Sequence, residues 1–282
     1  MRFRNPILAA TIALAAAQPV ESQNLPPAPA APTLTYADLA DLALAAPVVA
    51  HVRVESADRL NEREAPNVAT GQRRFLVEAS VIALIRGTGG LQQRISYLVD
   101  LGADADGRPA RLRRRTEFLV LASRVPNNAA WLQLVAPDAQ LPFTQQVADR
   151  LRTILRDATT ANAPPRLTGV GRAFHVPGSL PGESESQIFL LTADSRPISL
   201  NILRRPGETP RWSVALGEMV DEAAAPPMRD TLLWYRLACS LPQALPRQSL
   251  AEAQGDEAQA IRADYQLVLE GLGRCDRTRR QR

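Results

Sequence analysis

The stretch that decides the fold is residues 48–54, which read Val48-Val49-Ala50-His51-Val52-Arg53-Val54. After its first residue the stretch alternates, with Val49, His51 and Arg53 on one side and small aliphatic residues on the other. A period of two is typical of a half-buried β-strand, because successive side chains point to opposite faces of a sheet. We therefore predict a strand over Val48–Ser56.

Similar patterns predict the other elements of a first part, residues 35–162. A helix is expected over residues 35–46, where Thr35 and Asp38 have capping-box spacing and Pro47 ends the pattern. Four more strands and a second helix follow, separated by turn-forming residues: Arg74–Ile85, Arg94–Leu101, Glu117–Val125, Ala130–Val135 and a helix within Phe143–Thr159. The first part is therefore predicted to run helix, five strands, helix.

A second part, residues 166–276, begins after the Pro- and Ala-rich residues 161–165. Four strands are expected there, at Leu167–Val176, Gln187–Thr192, Pro197–Leu203 and Arg211–Leu216. A helix is expected over Asp230–Leu241. Ser249 and Glu252 have capping-box spacing and predict the start of a last helix.

The first part resembles the netrin-like and metalloproteinase-inhibitor-like domains over about residues 35–140. The residues that carry the resemblance are Val48–Val54, Phe75–Val81, Ile85-Arg86-Gly87 and Glu117–Ala122. The resemblance implies a small five-stranded OB-type β-barrel with flanking helices. Inhibitors of this family present an N-terminal cysteine to the metal of the target. This sequence has no cysteine before Cys239, so that mechanism is not carried over.

The expected fold is therefore α+β: an OB-type barrel, followed by a small antiparallel sheet with a C-terminal helical pair. Taken whole, the chain resembles exported bacterial proteins of unassigned function.

The N-terminus has the three-part pattern of a signal peptide, which predicts a periplasmic or secreted protein. Two arginines precede the uncharged stretch Pro6–Ala17, and small residues follow it. Cleavage is expected after Ala17 or after Ser22. We prefer Ser22, which makes residues 1–22 the signal peptide and residues 23–34 a Pro/Ala linker. No transmembrane segment is expected in the mature chain.

Composition excludes several classes of chemistry. All 33 basic residues are arginine, so no lysine is present to form a Schiff base or to bind phosphates in a phosphate loop. His51 and His175 are too few for a three-histidine zinc site, and we expect no metal and no cofactor. The net charge of +4 is small, so no nucleic-acid partner is expected. The arginine-rich residues 277–282 are expected to form a disordered, basic tail.

The two cysteines, Cys239 and Cys275, lie in one region of the chain. In an oxidising compartment two such cysteines are expected to form one disulfide, which here would join the last two helices. The alternative is two buried free thiols.

Three arginines, Arg111, Arg113 and Arg115, would lie on one face if the following strand began early. Guanidinium groups bind phosphate and carboxylate groups bidentately, so this row predicts a site for an anionic ligand or an acidic envelope protein. The alternative is a solvated strand edge, where charge discourages unwanted pairing.

Two other groups of residues suggest chemistry. His175 and Ser179 lie beside a loop with Glu183 and Glu185, which suggests a hydrolase, although no Gly-x-Ser-x-Gly motif is present. A run of aspartates, Asp100, Asp104 and Asp106, suggests a calcium loop, but the EF-type spacing fails and a turn is the better interpretation.

The leading function is therefore a non-enzymatic envelope protein that binds an unidentified partner or anionic ligand. The alternatives are an envelope hydrolase that uses the His175 loop and a structural accessory subunit of an envelope complex.

Overall fold

The first part of the chain folds into a closed barrel. The computed structural model describes residues 34–61, 63–103, 107–108, 111–217 and 225–279. Helix α1 (Tyr36–Ala45) comes first, and the barrel strands are β1 (Val48–Arg59), β2 (Arg73–Arg86), β3 (Arg94–Leu101), β4 (Glu117–Val125) and β5 (Asn128–Leu134). β1 pairs with both β2 and β4, which closes the order β1-β2-β3-β5-β4. The predicted five-stranded OB-type barrel is confirmed.

Alternate side chains of the strands fill the interior of the barrel. Val52 and Val54 of β1 point inward and are fully buried, as are Tyr97 of β3 and Val120 of β4. The residues between them point outward, so the outer surface of the barrel carries most of its polar side chains. His51 is one of these: its Nε2 lies 2.8 Å from Glu117, and its ring stacks on Phe143 at 3.7 Å. These contacts give His51 a structural role.

Two helices and a short strand complete the first part. The capping box of α1 is present as predicted, with the Asp38 amide donating to the Thr35 side chain at 3.1 Å. Strand β6 (Gln140–Pro142) pairs with β4, and helix α2 (Gln145–Asp157) follows it. Three residues are too few for a periodic signal, so β6 was not predicted.

A second, antiparallel sheet has the order β10-β9-β8-β7. Its strands are β7 (Leu167–Pro177), β8 (Ser184–Thr192), β9 (Ile198–Arg204) and β10 (Arg211–Ala215), and two helices follow, α3 (Leu232–Ala238) and α4 (Gly255–Leu272). A disulfide joins Cys239 at the end of α3 to Cys275 just after α4, as predicted. The chain is therefore α+β with a C-terminal helical pair.

One hydrophobic cluster contains residues from both parts. Helices α1 and α2 contribute Leu39, Leu42, Leu151 and Ile154, and the second part contributes Leu200, Ile202, Trp234 and Tyr265. The predicted domain boundaries stay a prediction, although the described residues from Leu34 onward cluster as one compact unit. No helix among the described residues has the length and apolar character needed to cross a membrane.

The predicted capping box of the last helix is wrong. Residues Arg247–Leu250 form a separate 3₁₀ turn, and α4 begins only at Gly255. The Ser249 hydroxyl donates to the backbone oxygen of Val170 at 3.3 Å, so it fastens the turn to β7 and does not cap a helix. Spacing alone could not reveal this tertiary contact.

The prediction of a disordered tail over residues 277–282 is wrong for the part that is described. Arg277 lies against Asp41 of α1, with Nε 2.5 Å from the carboxylate. Arg279 forms two hydrogen bonds of 2.7 Å with Asp138. Ion pairs to carboxylates distant in sequence hold this segment on the folded chain.

Candidate functional site

The row of arginines before β4 lies on a loop. Strand β4 begins at Glu117, so the expectation that Arg111, Arg113 and Arg115 alternate on an early strand is wrong. Arg115 has a positive φ of 66°, and its backbone N–H donates to the Val54 oxygen at 2.8 Å. This hydrogen bond ties the loop to β1. We call residues 111–115 the arginine loop.

The arginine loop presents unpaired positive charge. All four of its arginines, which include Arg114, are exposed, and none forms an ion pair with any residue of the described chain. Arg53 nearby differs, because it forms an ion pair of 2.7 Å with Glu117. The hydrogen bonds from Arg53 and then from His51 hold the pKa of Glu117 below its ordinary value. Glu117 therefore stays ionised and already has partners.

A polar groove of about 580 Å³ adjoins the arginine loop on the outer face of the barrel. It crosses β1, β2 and β3, where Ser56 pairs with Glu78 and Glu78 pairs with Ser96. The charged side chains that line it are Arg94, Arg114, Glu55 and Glu78. Ser80 donates to Glu55 at 2.8 Å and Ser56 donates to Glu78 at 3.3 Å. Guanidinium groups, which donate hydrogen bonds, and carboxylates, which accept them, therefore line the same groove.

A second groove, of about 500 Å³, opens at the seam between β3 and β5. These strands are parallel and pair only through Ser96 with Trp131 and Tyr97 with Leu132, although β3 continues to Leu101. Beyond the two pairs the strands separate, and the space between them is the seam groove.

The walls of the seam groove combine an aromatic ring with an ion pair. Trp131 is half-buried and Leu98 is 39% exposed. Arg74 donates two hydrogen bonds of 2.7 Å to Asp100, and this bonding raises the pKa of Arg74 above its ordinary value. Gln133 adds an amide. The groove therefore offers an apolar surface beside fixed polar groups, which is the usual make-up of a small-ligand site.

The two grooves are neighbours. Tyr97 and Leu132 point into the barrel and are buried, so the adjacent residues Ser96 and Trp131 point outward. Ser96 lines the polar groove and Trp131 lines the seam groove. Because Ser96 and Trp131 pair across β3 and β5, the two grooves lie next to each other on the outer face of the barrel.

His175 does not meet the residues that the hydrolase alternative requires. Its Nδ1 lies 2.8 Å from the hydroxyl of Ser186, which donates to Asp264 at 2.5 Å. Ser179 instead uses its backbone N–H to contact Glu183 at 3.1 Å. Ser186 is fully buried and its hydroxyl has a partner on each side. This Ser/His/Asp group therefore links β7, β8 and α4 through hydrogen bonds.

No group of three or more metal-ligating side chains is found among the described residues. Asp100, the first residue of the run that suggested calcium, is held by Arg74. Asp104 and Asp106 lie outside the described residues.

Two sequence comparisons do not place the chain in a family. No model of a protein family matches the chain, and no curated protein is significantly similar to it in sequence. The resemblance of residues 35–140 to netrin-like and metalloproteinase-inhibitor-like domains stays a prediction.

Proposed function

We propose that the protein is an exported, non-enzymatic binding protein that holds an anionic ligand of the cell envelope. The observation that supports this is the arginine loop, where four exposed arginines have no carboxylate partner among the described residues and one of them borders the polar groove. Placing like charges side by side without partners costs free energy. A ligand that carries phosphate or carboxylate groups would offset that cost, because guanidinium groups bind such anions bidentately.

The shape of the loop supports the same proposal. The backbone hydrogen bond from Arg115 to Val54 fixes one end of the arginine loop on the barrel. The backbone N–H of Val54 also donates to the backbone oxygen of Thr116 at 2.9 Å. A turn held in this way loses less conformational freedom when it binds a ligand than a mobile segment would. Less of the favourable free energy of the arginine–anion contacts is therefore offset by the entropy lost on binding.

Export rests on two features. The N-terminal pattern of residues 1–22, which lie outside the described residues, is that of a signal peptide. The disulfide between Cys239 and Cys275 suits an oxidising compartment. Mass spectrometry of the protein purified from a bacterial periplasm tests this: we expect a mature chain that begins at Gln23. Retention of the first 22 residues in the soluble protein would contradict it.

The binding proposal is tested by calorimetric titration of the exported protein with three anionic probes. These are tetragalacturonate, a peptide of consecutive aspartates, and vesicles of phosphatidylglycerol. We expect at least one probe to bind in a salt-dependent manner. The triple variant Arg111→Ala/Arg113→Ala/Arg115→Ala should weaken that binding about tenfold or more, since each hydrogen bond to a charged group is worth about 1.5–3 kcal/mol.

A matched control separates the site from the overall charge. Arg150, Arg205 and Arg262 are also exposed and form no ion pair with the described residues, so their triple replacement by Ala removes the same charge elsewhere. We expect this control to bind as the wild type does. Equal loss in both triple variants, or no binding of any probe, would overturn the proposal.

A further inference from the structure

The polar groove is not built for a ligand that carries negative charge alone. Arg94 and Arg114 would attract such a ligand, but Glu55 and Glu78 line the same groove and would repel it. Ionised carboxylates only accept hydrogen bonds, and guanidinium groups only donate them. A ligand that satisfies both needs donors as well as acceptors. Hydroxyl groups are both, so the lining favours a ligand with many hydroxyls beside its acidic groups.

Two apolar side chains, Trp131 and Leu98, line the seam groove. Trp131 points outward and is half-buried, and the neighbouring Leu98 is exposed enough to contact a ligand. Beyond them the Arg74–Asp100 pair and Gln133 provide planar groups that donate and accept. An aromatic face beside planar polar groups matches a sugar ring, which has apolar C–H faces and a hydroxylated rim. A phosphate group or a lipid headgroup would leave the indole without a partner.

The spacing of the strands sets the length of the ligand. Three inter-strand gaps separate β1 from β5 along the order β1-β2-β3-β5, a distance of about 14 Å. The distance from Ser96 to Asp100 along β3 is roughly a further 13 Å. A ligand that reaches from the arginine loop to the end of the seam groove is therefore extended and made of several units.

We infer that the ligand is an acidic oligosaccharide that lies across both grooves, with one sugar ring on the face of Trp131 and its carboxylates toward the arginine loop. The inference rests on the proposed function, since it names the ligand class for the same outer face of the barrel. In this arrangement Glu55, Glu78 and Asp100 accept hydrogen bonds from sugar hydroxyls.

The test is a titration with tetragalacturonate, followed by calorimetry and by intrinsic tryptophan fluorescence. Trp131→Leu keeps an apolar side chain on the strand but removes the ring face, and we expect it to weaken binding roughly five- to tenfold. Trp131→Phe keeps an aromatic ring and should bind within about threefold of the wild type. The wild type should show a shift in tryptophan emission on binding, and this shift should vanish in Trp131→Phe although binding persists.

The outcomes distinguish the claim of a sugar ring on Trp131 from the claim of an anion site at the arginine loop. If Trp131→Leu binds as the wild type does, or the emission shift persists in Trp131→Phe, the ring assignment is wrong. If Trp131→Leu weakens binding but the triple arginine variant does not, the ring site stands and the proposed function at the arginine loop fails. Tighter binding of the aspartate peptide than of tetragalacturonate would overturn the sugar class. Should Trp131→Leu fail to fold, the Trp131→Phe emission result still decides.

Discussion

Thr278 donates two hydrogen bonds to Asp38, one from its backbone N–H at 3.0 Å and one from its hydroxyl at 2.6 Å. Asp38 is also the residue that completes the capping box of α1 with Thr35. One carboxylate therefore fixes the start of the first helix and receives a segment 240 residues further along the chain. This contact ties the two ends of the described fold together.

The contact should contribute to stability. Thr278→Val keeps the shape of the side chain but removes the hydroxyl, leaving one donor fewer at a buried carboxylate. We expect a loss of about 1–2 kcal/mol in the free energy of unfolding, measured by urea denaturation. Thr209→Val, at an exposed position in a turn, serves as the control and should change little. Equal stability of Thr278→Val and the wild type would show that the tail is not held by this bond.

Acid should weaken the same contact. Burial alone would raise the pKa of Asp38, but hydrogen bonds from Thr278, Arg279 and Thr35 outweigh it and leave the pKa below its ordinary value of 3.8. A carboxyl group whose pKa is lowered on folding stabilises the fold above its unfolded pKa, and this stabilisation is lost as the pH falls through the folded pKa. Hydrogen bonds from Arg279 lower the pKa of Asp138 in the same direction.

The expected result is a stability difference that depends on pH. Asp38→Asn should be less stable than the wild type near neutral pH, and the two should converge as the pH falls below 3.8. Thermal unfolding over a series of pH values measures this. A difference that stays constant throughout the series would contradict the role assigned to the Asp38 carboxylate.

Gly271 near the end of α4 is required by its neighbour Trp212. A Cβ at position 271 would lie 2.5 Å from the indole Nε1 and 2.9 Å from Cε2. In an exposed helix interior Gly→Ala stabilises by about 1 kcal/mol, but overpacking costs about 1–3 kcal/mol. We expect Gly271→Ala to destabilise the protein in urea denaturation, and Trp212→Leu in the same chain to relieve part of that loss. Stabilisation by Gly271→Ala alone would show that the indole moves aside freely.

Asp264 should be essential for the packing of α4 on the second sheet. Its carboxylate is 1% exposed and accepts from Ser186 and from Arg204, with Arg204 Nη2 at 2.6 Å. Asp264→Ala removes the carboxylate partner of Arg204 and one of the two partners of Ser186, and since Arg204 is partly exposed we expect a loss of about 2–4 kcal/mol. Asp149→Ala, which breaks the exposed pair with Arg152, should leave the free energy of unfolding close to that of the wild type. Similar losses in both variants would contradict a special role for Asp264.

The local patterns of the sequence were enough to predict the strands of the barrel, whereas its closed OB-type architecture was implied by the resemblance of residues 35–140. The sequence patterns predicted β3 and β4 with their observed bounds, and the capping box placed the start of α1. Such signals lie within a few consecutive residues, so they can be read without knowing the tertiary structure. Helix α3 is shorter than predicted, Leu232–Ala238, because an apolar stripe does not mark where a helix frays.

The candidate site was predicted only in part. The arginine loop is visible in the sequence as a dense run of one residue type. The polar groove is not, because Glu55, Glu78 and Arg94 come from three different strands and meet only through the register of the sheet. The seam groove depends on where β3 and β5 stop pairing, and nothing local in either strand encodes that point.

The central claim is that the arginine loop holds an acidic ligand, and arginine protection measures it most directly. The exported protein is treated with phenylglyoxal with and without tetragalacturonate, and the modification of each arginine is quantified by mass spectrometry. We predict that the ligand slows modification of Arg111, Arg113, Arg114 and Arg115 and leaves Arg150, Arg205 and Arg262 unchanged. Protection of the second set, or equal modification of the arginine loop with and without the ligand, would contradict the account.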